Sequence, residues 1–223
     1  MPRFGPIFVL LLLLAGPGPS AAQTAPRVGI IQATGMGSFG ATILAHRQTP
    51  FDTIPSSIAG ADLGRYDLIV IDNLFRLQDL NGPAFKAYVQ NGGVLLVINP
   101  RVDGFSRGWA PYEIFAGEHT VEARITNRKH PIFAGISGDK LADFAESNGA
   151  FVGNCSLTEP AREWKVLARH ARLSRNAVIV EAAFGTGHVV VACTRFDHYD
   201  AKATPTRLGD NLFGYLLSLA AAR

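Results

Sequence analysis

Cysteine is scarce in this sequence. Only two of the 223 residues are cysteine, Cys155 and Cys193, so there is material for at most one disulfide bridge. Two alternatives stay open: a disulfide, which an oxidising compartment would favour, or two free thiols buried in the core. Because Cys193 closes an apolar run, its thiol is most simply a core side chain.

The sequence also lacks a marked excess of basic over acidic residues, or of acidic over basic ones. The chain has 21 Lys and Arg against 18 Asp and Glu, a formal net charge of +3. The basic residues are scattered, with small groups only at residues 128–130 and 169–175. A nucleic-acid-binding surface needs a contiguous basic face with aromatic residues among the basic ones. The sequence therefore predicts no nucleic-acid partner.

Long apolar runs are equally rare. The longest lies at residues 7–15, after Arg3 and before a Gly/Pro segment and the small residues of positions 20–22. This order is typical of a secretory signal peptide, and a nine-residue run is too short to cross a bilayer. We expect cleavage after Ala22, no membrane span, and a single exported domain over residues 23–223, secreted or periplasmic.

Two short apolar runs, residues 68–71 and 94–98, dominate what remains. Continuous hydrophobicity of this length is typical of strands that are covered on both faces, as in a parallel sheet. The segment between them, residues 79–91, has capping residues, Pro83 in its first turn and two glycines after its end, which predicts a helix. Together these segments predict a right-handed βαβ unit.

The rest of the chain extends this unit into an α/β domain. The turn at residues 184–187 predicts an antiparallel hairpin over residues 177–193, and an apolar stripe after Pro205 predicts a final helix. We predict a mostly parallel central sheet with this hairpin at its C-terminal end. Further strands are predicted at residues 28–32, 51–54, 121–125 and 165–168.

A glycine-rich loop follows the first predicted strand. Residues 35–40 match G-x-G-x-x-G, the fingerprint of dinucleotide-binding sites. The helix after this loop is brief, and no second strand ends in an acidic residue at the required distance. We therefore interpret the loop as a flexible rim and predict neither a cofactor nor a bound metal.

Several segments together resemble the class I glutamine amidotransferase-like domain. The closest resemblance is to its branches without amidotransferase activity, the ThuA-like proteins and the domain within some β-galactosidases. The resemblance implies a flavodoxin-like three-layer sandwich. The segments on which this resemblance rests are residues 66–73, 85–97, 130–136, 184–191 and 211–216.

The resemblance also identifies what this chain lacks. Catalytic members carry a cysteine nucleophile on a sharp turn after the strand that corresponds to residues 94–98. Here the turn is Asn99-Pro100; a carboxamide forms no thioester, and proline has no N–H to donate to an oxyanion. Proline also makes the strained turn unlikely to form. The family's histidine–acid pair has a counterpart in His198 and Asp200, the candidate catalytic residues.

Ligands of open α/β sheets bind outside the carboxyl ends of the strands. On this rule the candidate ligand-binding residues are Asp72, Asn73, Asn99, Asp103, Trp109 and His198, with Trp109 stacking on a sugar ring. The alternative is structural: Asp72 and Asn73 cap the next segment, while His198 and Asp200 hold a loop.

Three functions are compatible with these residues. The first is non-catalytic binding of a small polar or carbohydrate ligand or a protein partner. The second is a hydrolase that uses His198 and Asp200 with a metal or water, and the third is a homo-oligomerisation module.

Overall fold

A computed structural model describes residues 24–32, 37–55, 62–72, 81–101, 108–145 and 152–223. The predicted signal peptide and two candidate site residues, Asn73 and Asp103, lie outside these ranges. Within them the chain forms one sheet of eleven strands. The strands are β1 Val28–Gln32, β2 Asp52–Ile54, β3 Leu68–Asp72, β4 Val94–Ile98, β5 Phe115–Ala116, β6 Ala123–Ile125, β7 Lys140–Leu141, β8 Leu157–Thr158, β9 Lys165–His170, β10 Ala177–Phe184 and β11 Gly187–Ala192.

One half of the sheet is parallel. Its strand order is β2-β1-β3-β4-β11, and each neighbouring pair is parallel. Every residue of β3 and of β4 is buried, because both faces of these strands are covered. The predicted β-strands at residues 68–71 and 94–98 are therefore confirmed as adjacent parallel strands.

The other half of the sheet is antiparallel, which corrects the prediction of a mostly parallel sheet. From β11 the order continues through β10, β9, β6 and β7, with antiparallel pairing throughout. The predicted hairpin of β10 and β11 is confirmed, and Gly185 at its turn has a φ of 61°. Strands β5, β7 and β8 have two residues each and are too short to give a periodic sequence signal.

Three α-helices lie in the described residues: α1 Phe39–His46, α2 Gly82–Gln90 and α3 Ala203–Ala221. The side chain of Asn81 caps α2, and Gly92 follows that helix with a φ of 105°, as predicted. Helix α1 packs against α3 and β3, while α2 packs against β4 and β11. The final helix begins earlier than Pro205, at Ala203, without a side-chain cap.

The buried side chains form one contiguous apolar cluster that includes residues of both halves of the sheet and of all three helices. In the described part of the chain, no helix is long and apolar enough to cross a membrane. The parallel half has its strand ends at one edge of this core, and that edge carries the candidate site.

Candidate functional site

A cleft of about 410 Å³ opens at the carboxyl ends of β1, β4 and β11. This position is the one that the crevice rule for α/β sheets predicts, and the volume is typical of small-molecule sites. Polar and aromatic side chains form most of the walls. The lining residues are Gly37, Ser38, Phe39, Thr42, Asn99, Arg101, Asn154, Arg195, Phe196, Asp197 and Tyr199.

Asn99 lies at the centre of this edge, directly after β4. Its backbone N–H donates to the carbonyl of Ala192 at the end of β11 (2.8 Å), and its side-chain Oδ1 accepts from the N–H of Asn154 (3.0 Å). Asn99 has a φ of 46°, a left-handed conformation that is unfavourable for most residues, and more so before a proline. The expectation that this strained turn does not form is therefore wrong.

The short polar side chain of asparagine explains why the turn forms here. Asparagine tolerates the left-handed region better than most residues, and the hydrogen bond from Asn154 holds the side chain in place. The result is a turn that carries a carboxamide, a group that can only donate and accept hydrogen bonds.

Asp72, at the end of β3, is fully buried beside the start of α1. Its Oδ2 accepts hydrogen bonds from Ser38 Oγ and from the N–H of Gly40, both at 2.6 Å. Burial raises the pKa of Asp72 to about 6, against the opposing effect of these donors. A Cβ on Gly40 would lie 3.3 Å from Oδ2, so glycine permits this close approach.

The carboxylate of Asp72 therefore lies at the amino end of helix α1. Amides at the start of a helix attract anions, but here Asp72 already accepts from the N–H of Gly40, and Ser38 accepts from that of Ala41 (3.0 Å). This geometry favours the structural alternative for Asp72, although the element that it caps is the earlier helix α1.

Charged groups of both signs also line the cleft. The guanidinium of Arg195 pairs with the carboxylate of Asp197 at 2.6 Å, and both side chains are partly exposed. Arg101, two residues after Asn99, is a further lining residue. Such planar donors recognise carboxylate and hydroxyl groups with defined geometry.

The candidate pair His198 and Asp200 is not assembled as a base and its orienting acid. His198 Nδ1 lies 2.8 Å from the carbonyl oxygen of Asp143, whereas Asp200 Oδ1 lies 3.5 Å from His46 Nε2. Neither residue is among those lining the cleft. In the described residues, no group of three or more His, Cys, Asp or Glu side chains is arranged to hold a metal ion.

Trp109 is placed in the core rather than in the cleft. Only 2% of its surface is exposed and it does not line the cleft, so its ring is not placed to stack on a sugar bound there. The backbone beside it explains the burial: a Cβ on Gly82 would lie 3.0 Å from the Cα of Trp109, which shows that the start of α2 packs closely over this segment.

Of the residues that line the cleft, only Asn99 is among the candidate ligand-binding residues predicted from the sequence. Asn154 and Arg195 are not singled out as ligand-binding residues by the sequence. Asn154 lies in an irregular region, and Arg195 follows β11 by three residues. The crevice rule could have pointed to Arg195, because β11 is a parallel neighbour of β4; the sequence pattern predicted only its antiparallel pairing with β10.

Comparison with solved structures shows the same fold in proteins of low sequence identity. The cytoplasmic protein STM3548 from Salmonella typhimurium is similar with a TM-score of 0.57 at 15% identity, over 85% of this chain and 98% of that one. A ThuA-like protein from Bacteroides uniformis gives a TM-score of 0.52 at 12% identity, over 90% and 95% of the two chains. The predicted resemblance is thus confirmed at the level of the fold.

A larger enzyme also contains this fold. A β-galactosidase from Rahnella sp. R3 is similar with a TM-score of 0.55 at 17% identity, over 85% of this chain but only 30% of the enzyme. No protein-family model matches this chain, and no curated protein matches it in sequence.

Proposed function

We propose that this chain is an exported glutamine amidotransferase-like domain, with flavodoxin-like layering, that binds a small polar ligand in the cleft without acting on glutamine. The observation that carries the proposal is Asn99. It occupies the strained turn at the end of β4 and the edge of the cleft, where a catalytic member would have its thiolate. The carboxamide and the surrounding polar side chains are suited to hydrogen bonding rather than to covalent chemistry.

The composition of the walls points to a carbohydrate or a related polyhydroxylated molecule. Hydroxyl, amide and guanidinium groups from Thr42, Asn154 and Arg195 face the same space as the rings of Phe39 and Phe196. Sites for small ligands combine apolar surface with a few placed polar groups in this way. The occurrence of the fold within a β-galactosidase is consistent with this class of ligand.

Calorimetric titration with glucose and with glucuronate tests the ligand class. We expect at least one of the two sugars to bind saturably, and we expect Arg101→Ala to weaken glucuronate about tenfold more than glucose, because it removes a charge-assisted hydrogen bond. The matched control is Arg162→Ala, whose side chain is 94% exposed and outside the cleft. Equal effects of the two variants, or no saturable binding of either sugar, would contradict this assignment.

A glutaminase assay tests the absence of amidotransferase chemistry. Released ammonia should stay at the level of the enzyme-free blank in the parent and in His198→Ala alike. Glutamine turnover by the parent that Cys155→Ala or Cys193→Ala abolishes would identify a thiol nucleophile and refute the proposal.

Export is the part of the proposal that depends on the sequence alone. N-terminal sequencing of material collected outside the cytoplasm should begin at Gln23, the residue after the predicted cleavage point. A full-length chain retained in the membrane would contradict the prediction.

A further inference from the structure

Two thiols meet beneath the floor of the cleft. Cys155 Sγ and Cys193 Sγ are 3.2 Å apart, and neither residue is exposed to solvent. The two cysteines are separated by 38 positions in the sequence, so the fold has brought them together. A disulfide has an S–S bond of about 2.05 Å; the sulfur atoms therefore need to approach by only about one further ångström.

The backbones that carry these thiols are already held against each other. The N–H of Arg195, two residues after Cys193, donates to the carbonyl of Val152, three residues before Cys155 (2.6 Å). A Cβ on Gly153 would lie 1.9 Å from the carbonyl oxygen of Cys193, which shows how closely the two segments pack. Thr120 Oγ1 fixes the Cys155 end through its hydrogen bond to the carbonyl of that residue (3.1 Å).

We propose that Cys155 and Cys193 form a disulfide that fastens two walls of the cleft together. The residue before Cys155 is Asn154, and the second residue after Cys193 is Arg195; both line the cleft. A bond between the two sulfurs would fix the spacing of these walls, independently of which ligand the cleft binds.

The oxidant is a small-molecule disulfide such as oxidised glutathione. One sulfur attacks it, a mixed disulfide forms, and the second sulfur displaces the remaining thiol. The two cysteines lose two electrons and two protons, and the oxidant is reduced to two thiols. The hydrogen bond that the Cys155 thiol donates to the carbonyl of Pro100 at 3.0 Å in the folded, reduced chain has no counterpart in the disulfide.

The burial of both thiols determines at which stage the disulfide can form. The oxidant cannot reach either sulfur in the folded protein, and burial raises the pKa of the Cys193 thiol well above its usual range, so the nucleophilic thiolate is rare there. We therefore expect the bond to form during folding, before the segments close, and to resist reduction afterwards.

Refolding in a glutathione buffer tests the proposal on the parent chain. The denatured, reduced protein is refolded with oxidised and reduced glutathione. Free thiols are then alkylated, and the mass of the intact chain is measured by mass spectrometry. We expect a mass lower by two hydrogen atoms, no alkylated cysteine, and a single peptide pair joined through Cys155 and Cys193 after digestion. Two alkylated cysteines, or only mixed and intermolecular disulfides, would overturn the proposal.

Thermal unfolding and amide exchange give a second readout. The oxidised parent should melt about 5–10 °C above the reduced parent, since a bridge over a loop of this size restricts the unfolded chain. The N–H of Asn154 should exchange more slowly in the oxidised form.

Single variants provide the control. The melting temperatures of Cys155→Ala and Cys193→Ala should not depend on the redox buffer, whatever their absolute stability. Equal melting of the oxidised and reduced parent would also overturn the proposal.

Discussion

Asn99 shows how the fold can hold a non-glycine residue in a strained backbone conformation at the end of a strand. The φ of 46° is a conformation that costs most residues about 1–2 kcal/mol. It persists because the surrounding hydrogen bonds, to Ala192 and from Asn154, fix both the backbone and the side chain. Strained backbone that the fold maintains at a strand end is typical of functional sites.

A pair of variants isolates the cost of this backbone. Asn99→Ala and Asn99→Gly both lose the side-chain acceptor for Asn154, but only alanine has a Cβ that disfavours a positive φ. We expect the glycine variant to be more stable than the alanine variant by about 1 kcal/mol in urea denaturation.

Asn91 serves as the control for this pair, since its φ is −88°. There the alanine variant should be at least as stable as the glycine variant. If the alanine variant were also at least as stable as the glycine variant at position 99, the turn would not be left-handed in solution.

Asp72, which is fully buried and does not line the cleft, gives the chain a dependence of stability on pH. Its pKa of about 6 in the folded chain lies above the ordinary value of 3.8. The group therefore contributes stability that is fully present below pH 3.8 and is lost as the pH rises through 6, a loss of about 3 kcal/mol.

Asp72→Asn should remove this dependence. The amide oxygen can still accept from Ser38 and Gly40, but position 72 no longer ionises. The difference in unfolding free energy between parent and variant should change with pH between about 4 and 7, in favour of the variant as the pH rises. A difference that stays constant over this range in urea titrations would refute the assignment.

At the residue scale the sequence predicts which strand ends matter but not what each side chain does there. Asp72 and Asn99 follow apolar runs, so the crevice rule singles them out. The burial of Trp109 depends on α2 packing over its segment, and the separate partners of His198 and Asp200 depend on Asp143 and His46. These are contacts between residues distant in sequence, which no local pattern encodes.

At the scale of elements, one buried carboxylate joins several parts of the fold. Glu181 on β10 accepts from His130 Nε2 (3.1 Å), His188 Nε2 (3.2 Å), Tyr215 Oη (3.0 Å) and Lys165 Nζ (2.8 Å). Burial would raise the pKa of Glu181, but the hydrogen bonds from His130, His188 and Lys165 outweigh it and hold the pKa well below its usual range. Through these hydrogen bonds, Glu181 connects β10 to the neighbouring strands β9 and β11, to helix α3 and to the 3-10 turn Pro131–Phe133.

Glu181→Gln should therefore destabilise the fold strongly. The new NH₂ group would face donors instead of acceptors, and breaking a buried ionic network costs about 3–5 kcal/mol. The matched control is Glu159→Gln, because Glu159 pairs with Arg175 at the surface and such pairs contribute little. Similar unfolding free energies for the two variants in urea would show that the network does not stabilise the fold.

Elements with continuous apolar runs or clear caps could be predicted from the sequence. The βαβ unit and the β10–β11 hairpin are examples, since burial on both faces and a glycine turn leave local signals. Strands β5, β7 and β8 could not, because two-residue strands have no period and exist only through their pairing. The mixed character of the sheet follows instead from the antiparallel pairing of β9 with β10 and with β6, whose direction no local pattern encodes.

At the scale of the whole molecule, the two halves of the sheet have different roles in this account. The parallel half places the ends of β1, β3, β4 and β11 along one edge, where the cleft opens. The antiparallel half adds the Glu181 network and carries Cys155 and Asn154 next to that edge. The likeness to solved structures spans 85–90% of the chain, so it covers both halves.

The central claim is that a small polar ligand binds in the cleft beside Asn99. The most direct test is an NMR titration of the ¹⁵N-labelled protein with glucose and glucuronate. We predict saturable shifts that cluster on the amides of Ser38, Asn99, Asn154 and Arg195, with the rest of the spectrum unchanged. Shifts that cluster instead around His188 and Arg223, at the opposite ends of these strands, or that never saturate, would contradict it.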